Sequence, residues 1–204
     1  MQSSEKSAPS TSWALKAALG LLAVGVLALL YVLFAASSKP EGTGYASFAK
    51  GDMARLVVLD EPPPRPDIVL KDASGAETTL AAFEGEVILV NLWATWCAPC
   101  MEEMPTLGAL QRQFEGRGFR VVPISADSAG EAPRAQEKLA ELSGGSLPFL
   151  IDPSRAILFA AQARGMPTSV LYDRQGREIA RVTGEADWSG PDAVALIEHA
   201  LAEQ

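Results

Sequence analysis

The chain has 204 residues, with 17 Lys and Arg against 25 Asp and Glu, a formal net charge of −8. That is room for one ordinary domain plus an extension, and the acidic balance argues against nucleic-acid binding, which depends on basic surface. Two cysteines and a single histidine, His199, exclude a disulfide scaffold and a structural zinc site, which needs about four Cys or His ligands.

In chain order, residues 1–16 form a short tail expected in the cytoplasm. Residues 17–36, AALGLLAVGVLALLYVLFAA, carry no charge. Roughly 20 apolar residues suffice to span a bilayer as a helix. Trp13 and Tyr31 lie near its two ends, as interface aromatics do. An uncleaved single-pass anchor is expected. The alternative is a cleaved signal peptide, whose apolar core is shorter, about 7–15 residues. Lys6 and Lys16 on one side balance Lys39, Lys50 and Arg55 on the other, so flanking charge does not decide orientation. The domain that follows is expected on the side of the membrane away from the cytoplasm, because the chain's two cysteines, acting as a dithiol, would have most use outside the reducing cytosol.

Residues 37–66 read as a linker, from Ser37, Ser38, Pro40, Gly42 and Gly44 to the stiff run Pro62-Pro63-Pro64-Arg65-Pro66. A short helix is expected within it, over Tyr45 to Leu59. The folded domain is expected over 67–204. Ile68-Val69-Leu70 and Glu77-Thr78-Thr79-Leu80 flank the turn signal Asp72-Ala73-Ser74-Gly75 and read as a hairpin. Val87 to Leu92 is a continuous apolar run, as in a strand buried on both faces. The next helix puts Cys100, Met104, Leu107 and Phe114 on one stripe. Pro105 should kink it, and Gly116 and Gly118 stop it.

Phe119 to Ser125 is a second central strand, and Ala132, Ala135, Leu139 and Leu142 mark a helix. A short strand follows at Phe149-Leu150-Ile151, then a helix around Arg155 to Ala163. Thr168 to Tyr172 and Glu178 to Thr183 read as strands joined by the turn Asp173-Arg174-Gln175-Gly176. Pro191 opens a last helix with Val194, Ile197 and Leu201 inward. The fold class is α/β, with a mixed central sheet flanked by helices.

Both cysteines fall in Trp96-Cys97-Ala98-Pro99-Cys100, between the buried strand and its helix. A Cys-x-x-Cys at such a junction is a redox arrangement. One sulfur attacks a disulfide and a second, close by, resolves the mixed disulfide. The helix N-terminus favours the first sulfur as thiolate.

The WCxPC strand–helix junction, with Gly165-Met166-Pro167-Thr168 before a late strand, resembles thioredoxin. VNLWATWCAPCMEEMP, the hairpin before it, GDMARL and MPTSVLYDRQG are more closely similar to the TlpA/ResA/CcmG group of membrane-anchored thioredoxin-like proteins, over roughly residues 50–204. The resemblance implies a thioredoxin-like fold with an N-terminal β-hairpin extension, preceded by one transmembrane helix. It implies thiol:disulfide oxidoreductase activity with no cofactor and no metal.

In that frame Cys97 is the nucleophile and Cys100 the resolving thiol, paired as a redox-active disulfide. Pro99 tunes the potential. Pro167 matches the thioredoxin cis-proline rather than an ordinary trans strand-initiating proline, and Met166 before it offers backbone to an extended client segment. Trp96 is expected at the contact surface and Trp93 in the core. Glu103 matches an acidic position near the redox site and is either a proton carrier or a solvated helix residue. Asn91 stands where thioredoxin has a buried acid, a departure that makes a role for Glu103 more attractive. His199 is read as structural or surface, and Trp188 has no role assigned.

The expected function is reduction of protein clients. These are a Sco-like copper chaperone, the copper subunit of cytochrome oxidase, or apocytochrome c. A membrane thiol transporter would supply electrons. The alternative is a Cu(I)-binding metallochaperone using the two soft sulfurs. A thioredoxin-like peroxidase is disfavoured, because Ala94 stands where such enzymes carry a threonine three residues before the attacking cysteine.

Overall fold

The computed structural model describes the backbone of residues 11–37 and 44–203, with side chains for 16–31 and 44–203. The described residues fall into two units, divided between residues 41 and 42.

The first unit is helix α1, Thr11–Ser37. Its side chains from Lys16 to Tyr31 are all exposed. Among the described residues no helix is long and apolar enough to cross a membrane. The expected 17–36 span extends beyond this stretch: residues 32–36, like Trp13, lie outside the residues with described side chains. Most of the expected tail, 1–10, and the first part of the linker, 38–43, lie outside the described residues altogether.

The second unit is built on one sheet. Its strands are β1 Leu56–Val57, β2 Leu70–Asp72, β3 Glu77–Thr78, β4 Val87–Trp93, β5 Phe119–Ser125, β6 Leu150–Ile151, β7 Thr168–Tyr172 and β8 Glu178–Thr183. They lie in the order β1-β8-β7-β4-β5-β6-β2-β3. β4 runs parallel to β5, and β5 to β6, while the other neighbours are antiparallel. Helices α2 Ala98–Gln113, α3 Ala132–Ser143, α4 Ala156–Ala160 and α5 Pro191–Ala202 complete the unit. This is the expected thioredoxin-like α/β fold with a mixed sheet, and the β2–β3 hairpin extends one edge.

Strand alternation sorts the core into two layers. Val87, Leu89 and Trp93 of β4 face one way, with Met104 and Leu107 of α2, Leu139 of α3 and Ile197 of α5. Ile88, Val90 and Leu92 face the other, with Leu70, Leu80, Ile157 and Tyr172. Asn91 has odd parity and so points at α2, amid the first layer. Ser169, paired with Asn91 across β4 and β7, points the same way.

The structure departs from the expected elements in the hairpin, whose strands are β2 and β3 in place of 68–70 and 77–80 because Leu80 opens a 3-10 turn, Leu80–Phe83, and at four further places. The stretch 37–66 is not an extended linker throughout. From Tyr45 it joins the domain as two short 3-10 helices, Tyr45–Phe48 and Gly51–Met53, and then β1, in place of the single helix expected over 45–59. Met53 is fully buried, and β1 pairs with β8. Gly51, at φ +51°, abuts Asp192 of α5 so closely that a Cβ would collide with the carboxylate. Second, the helix expected around 155–163 is only α4, because Arg155 and Gln162 on either side adopt left-handed backbone. Third, the buried face of α5 is Ala193, Leu196, Ile197 and Ala200, with Val194 and Leu201 only partly buried at its margin. Last, α2 ends at Gln113, before Gly116 and Gly118. Pro105 sits inside α2 without ending it.

Candidate active site

The buried strand β4 delivers the chain to the site. Past Trp93, Asp127 holds the turn: its carboxylate accepts from Thr95 N (3.0 Å), Thr95 Oγ1 (2.8 Å) and Ser125 Oγ (2.8 Å). Cys97 is the N-cap of α2, with Pro99 in the first turn. Its thiol therefore sits at the positive end of the helix. Cys97 and Cys100 are joined, S–S 2.04 Å, with Cα atoms 5.3 Å apart. Cys97 is 7% exposed and Cys100 is fully buried, so only Cys97 is open to attack from outside. Charge at helix N-termini and access both favour its thiolate as the reacting group once reduced.

Beside Cys97 lies a groove of ≈ 570 Å³ whose walls include Trp96, Pro99, Leu158, Ala163, Arg164 and Met166. The Met166–Pro167 bond is cis. Trp96 is 57% exposed, beneath the Arg155 guanidinium at 5.9 Å from its ring centre. Phe159 on α4, next in the chain to the lining residue Leu158, is 83% exposed.

Behind the disulfide is a buried polar cluster. Cys100, Glu103, Met104 and Leu107 share the i, i+3, i+4, i+7 stripe that α2 turns into the core. Glu103 is therefore no solvated helix residue; it is 3% exposed. Asn91 Nδ2 donates to its Oε1 at 2.6 Å and to Ser169 Oγ at 2.9 Å. Ala186 N and Trp188 Nε1 donate to its Oε2 at 3.2 and 3.4 Å. Burial dominates these donors and pushes the Glu103 carboxyl up to about 7. A carboxyl so poised exchanges protons readily near neutrality. Asn91, in the place of an acid, serves instead as a neutral donor to one.

The structure thus brings together Trp96, Cys97, Pro99, Cys100, Glu103, Met166 and Pro167. His199 lies elsewhere, packed between the rings of Tyr45 and Phe48. Trp93 is fully buried in the core, as expected. Sequence reasoning missed Asp127 and Trp188. Trp188 is 1% exposed and its own N–H donates to Thr106 Oγ1 of α2 at 3.1 Å. Its partners lie more than eighty residues away in sequence, and no local pattern announces them.

Among known proteins, the Redoxin family model matches residues 62–197. The thiol-disulfide oxidoreductase ResA of Geobacillus kaustophilus (strain HTA426) is 36% identical over 119 residues, 58% of this chain and 67% of that protein. ResA of Bacillus subtilis (strain 168) is 28% identical over 165 residues, 81% of this chain and 82% of that protein. A solved structure from Chlorobium tepidum, described as a thiol:disulfide interchange protein DsbE, superposes with TM-score 0.62 at 28% identity, covering 71% of this chain and 99% of that one. The chain belongs to the Redoxin family, and it is a thiol–disulfide oxidoreductase of the ResA/DsbE type within the TlpA/ResA/CcmG group.

Proposed function

We propose that this oxidoreductase works as a reductant of protein disulfides, tethered by residues 17–36 to the bacterial inner membrane with its domain in the periplasm. The observation that carries the redox part is the pairing of a slightly exposed Cys97 at the head of α2 with a fully buried Cys100 and, one turn on, the buried Glu103.

In the reduced protein, the Cys97 thiolate attacks one sulfur of a client disulfide, and the other client sulfur leaves as thiolate. Cys100 then attacks Cys97. Its proton passes to Glu103, the Cys97–Cys100 bond forms, and the second client sulfur leaves as thiolate. Both client thiolates take protons from water. Two electrons have moved from the pair to the client. The groove and the Met166 backbone offer an extended client segment a place beside Cys97, and Trp96 offers a stacking surface.

Clients of three kinds follow from the family resemblance: a Sco-like copper chaperone, the copper subunit of cytochrome oxidase, and apocytochrome c. A membrane thiol transporter would return the pair to the dithiol state. Membrane tethering rests on the uncharged apolar run 17–36.

The test is direct electron transfer. The reduced full chain, mixed with each oxidised client, is expected to form one Cys97–Cys100 disulfide for every client disulfide lost, read by thiol alkylation and mass. No transfer to any of the three client classes would overturn the reductant reading.

A further inference from the structure

A second opening reaches the buried site. A cleft of ≈ 530 Å³ lies between the Gly51–Arg55 segment, α2 and the Glu185–Asp187 loop, and Glu103 forms part of its wall. It shares no lining residue with the groove beside Cys97. The two openings leave α2 at successive turns, at Ala98 and Pro99 for the groove and at Glu102, Glu103 and Thr106 for the cleft.

The Glu103 carboxyl is oriented between these surroundings. Oε1 is held on the sheet side by Asn91, while Oε2 is held by Ala186 and Trp188, from the loop that lines the cleft. The charged groups around the cleft are Asp52 and Arg55 from the N-terminal segment, Glu102 from α2, and Glu185 and Asp187 from the loop. β4 and β7 bring only the neutral Asn91 and Ser169 to the cluster. On its own helix Glu103 also follows the redox thiols Cys97 and Cys100. A polar, charged cleft of this size admits water; the groove is the more apolar of the two and is the side a client would cover.

We propose that the protons of this site enter and leave through the cleft, so that Glu103 exchanges with solvent while a client covers Cys97. The proposal rests on the exchange reading above. When Cys100 attacks the mixed disulfide, its thiol proton goes to the ionised Glu103 carboxylate. The Cys97–Cys100 bond forms, the Cys97–client bond breaks, and the electron pair leaves on the client sulfur. Glu103 then gives the proton to water in the cleft and is ready for the next cycle. The segment at 51–55 is thereby a wall of the proton path and not merely a connection to α1.

The test compares what covers each opening. The full chain in detergent, carrying Cys100→Ser, is linked through Cys97 to a cysteine peptide long enough to fill the groove. The reference is the same variant with Cys97 capped by a methylthio group, and Glu103 is titrated by its carboxyl carbon in NMR. The rate of proton exchange at Glu103 near its midpoint, read from relaxation dispersion of that carbon, is expected to be the same under the peptide as under the small cap. In Ala54→Trp, whose new ring fills the cleft, that rate is expected to fall at least severalfold. A peptide-induced fall of that size, or a rate indifferent to the filled cleft, would overturn the proposal. The peptide arm keeps the native cleft and stands if the tryptophan variant does not fold. A Cys97 that forms no peptide adduct while accepting the methylthio cap removes the exchange reading, and this proposal with it.

Discussion

The two flanks of the α2 N-terminus differ in every physical respect. On one, Trp96 stands exposed beside an open groove, with the arginines Arg155 and Arg164 at hand. On the other, Glu103 is buried and accepts hydrogen bonds from the buried Asn91 and Trp188. The disulfide lies between, Cys97 toward the first and Cys100 toward the second. Exposed apolar surface costs solubility and serves contact with other molecules. A buried carboxyl costs stability and serves proton transfer. One helix turn thus separates the surface proposed to meet a client from the carboxyl proposed to manage protons.

The sharpest break in that comparison is Cys97→Ser, which should abolish disulfide exchange in a peptide-reduction assay while leaving the domain folded by circular dichroism. Met53→Ala tests whether the segment walling the cleft belongs to the domain. Removing a fully buried methionine should cost roughly 2–5 kcal/mol in denaturant unfolding; a freely hanging tether would lose nothing.

Glu103→Gln separates the two flanks by pH. Burial raises the folded carboxyl from its ordinary 4.5 to about 7, so the folded protein favours the protonated form. That contribution is whole below pH 4.5 and is lost as pH rises through about 7. At about 1.4 kcal/mol per pH unit, the wild type sheds about 3 kcal/mol across this window. The glutamine variant should not, as read by unfolding midpoints of the oxidised protein at pH 4 and pH 8. The smallest effect is Trp188→Phe, which deletes one neutral donor and should cost about 1 kcal/mol. It should also raise the Glu103 midpoint in NMR, because a hydrogen bond favouring the carboxylate is gone. A lower midpoint would contradict the placement of that indole.

Much of this was legible in the chain. The strands Phe119–Ser125, Thr168–Tyr172 and Glu178–Thr183 have the residue bounds that the apolar runs and turn signals predict. Continuous apolar runs bounded by Gly and Asp leave little choice of register. The redox pair was legible because its spacing is local. The segment 45–57 was not, since 3-10 turns and a two-residue strand bury only Met53 and Leu56 and leave no period to detect. The length of α4 was set by two non-glycine residues in left-handed backbone, which composition does not announce. Glu103 was half legible: its place on the α2 stripe follows from helical spacing, but its donors come from β4 and from a distant loop. Trp188 was illegible for the same reason, because its meaning lies wholly in what it touches across the fold.

The account turns on Cys97 as the attacking sulfur, and trapping tests it most directly. With Cys100→Ser in the full chain, the resolving thiol is gone and the client should remain joined to Cys97 as a mixed disulfide that reductant releases, identified by mass spectrometry of the linked peptides. Complexes that persist when Cys97 is also replaced by serine, with none linked through Cys97, would contradict the exchange mechanism.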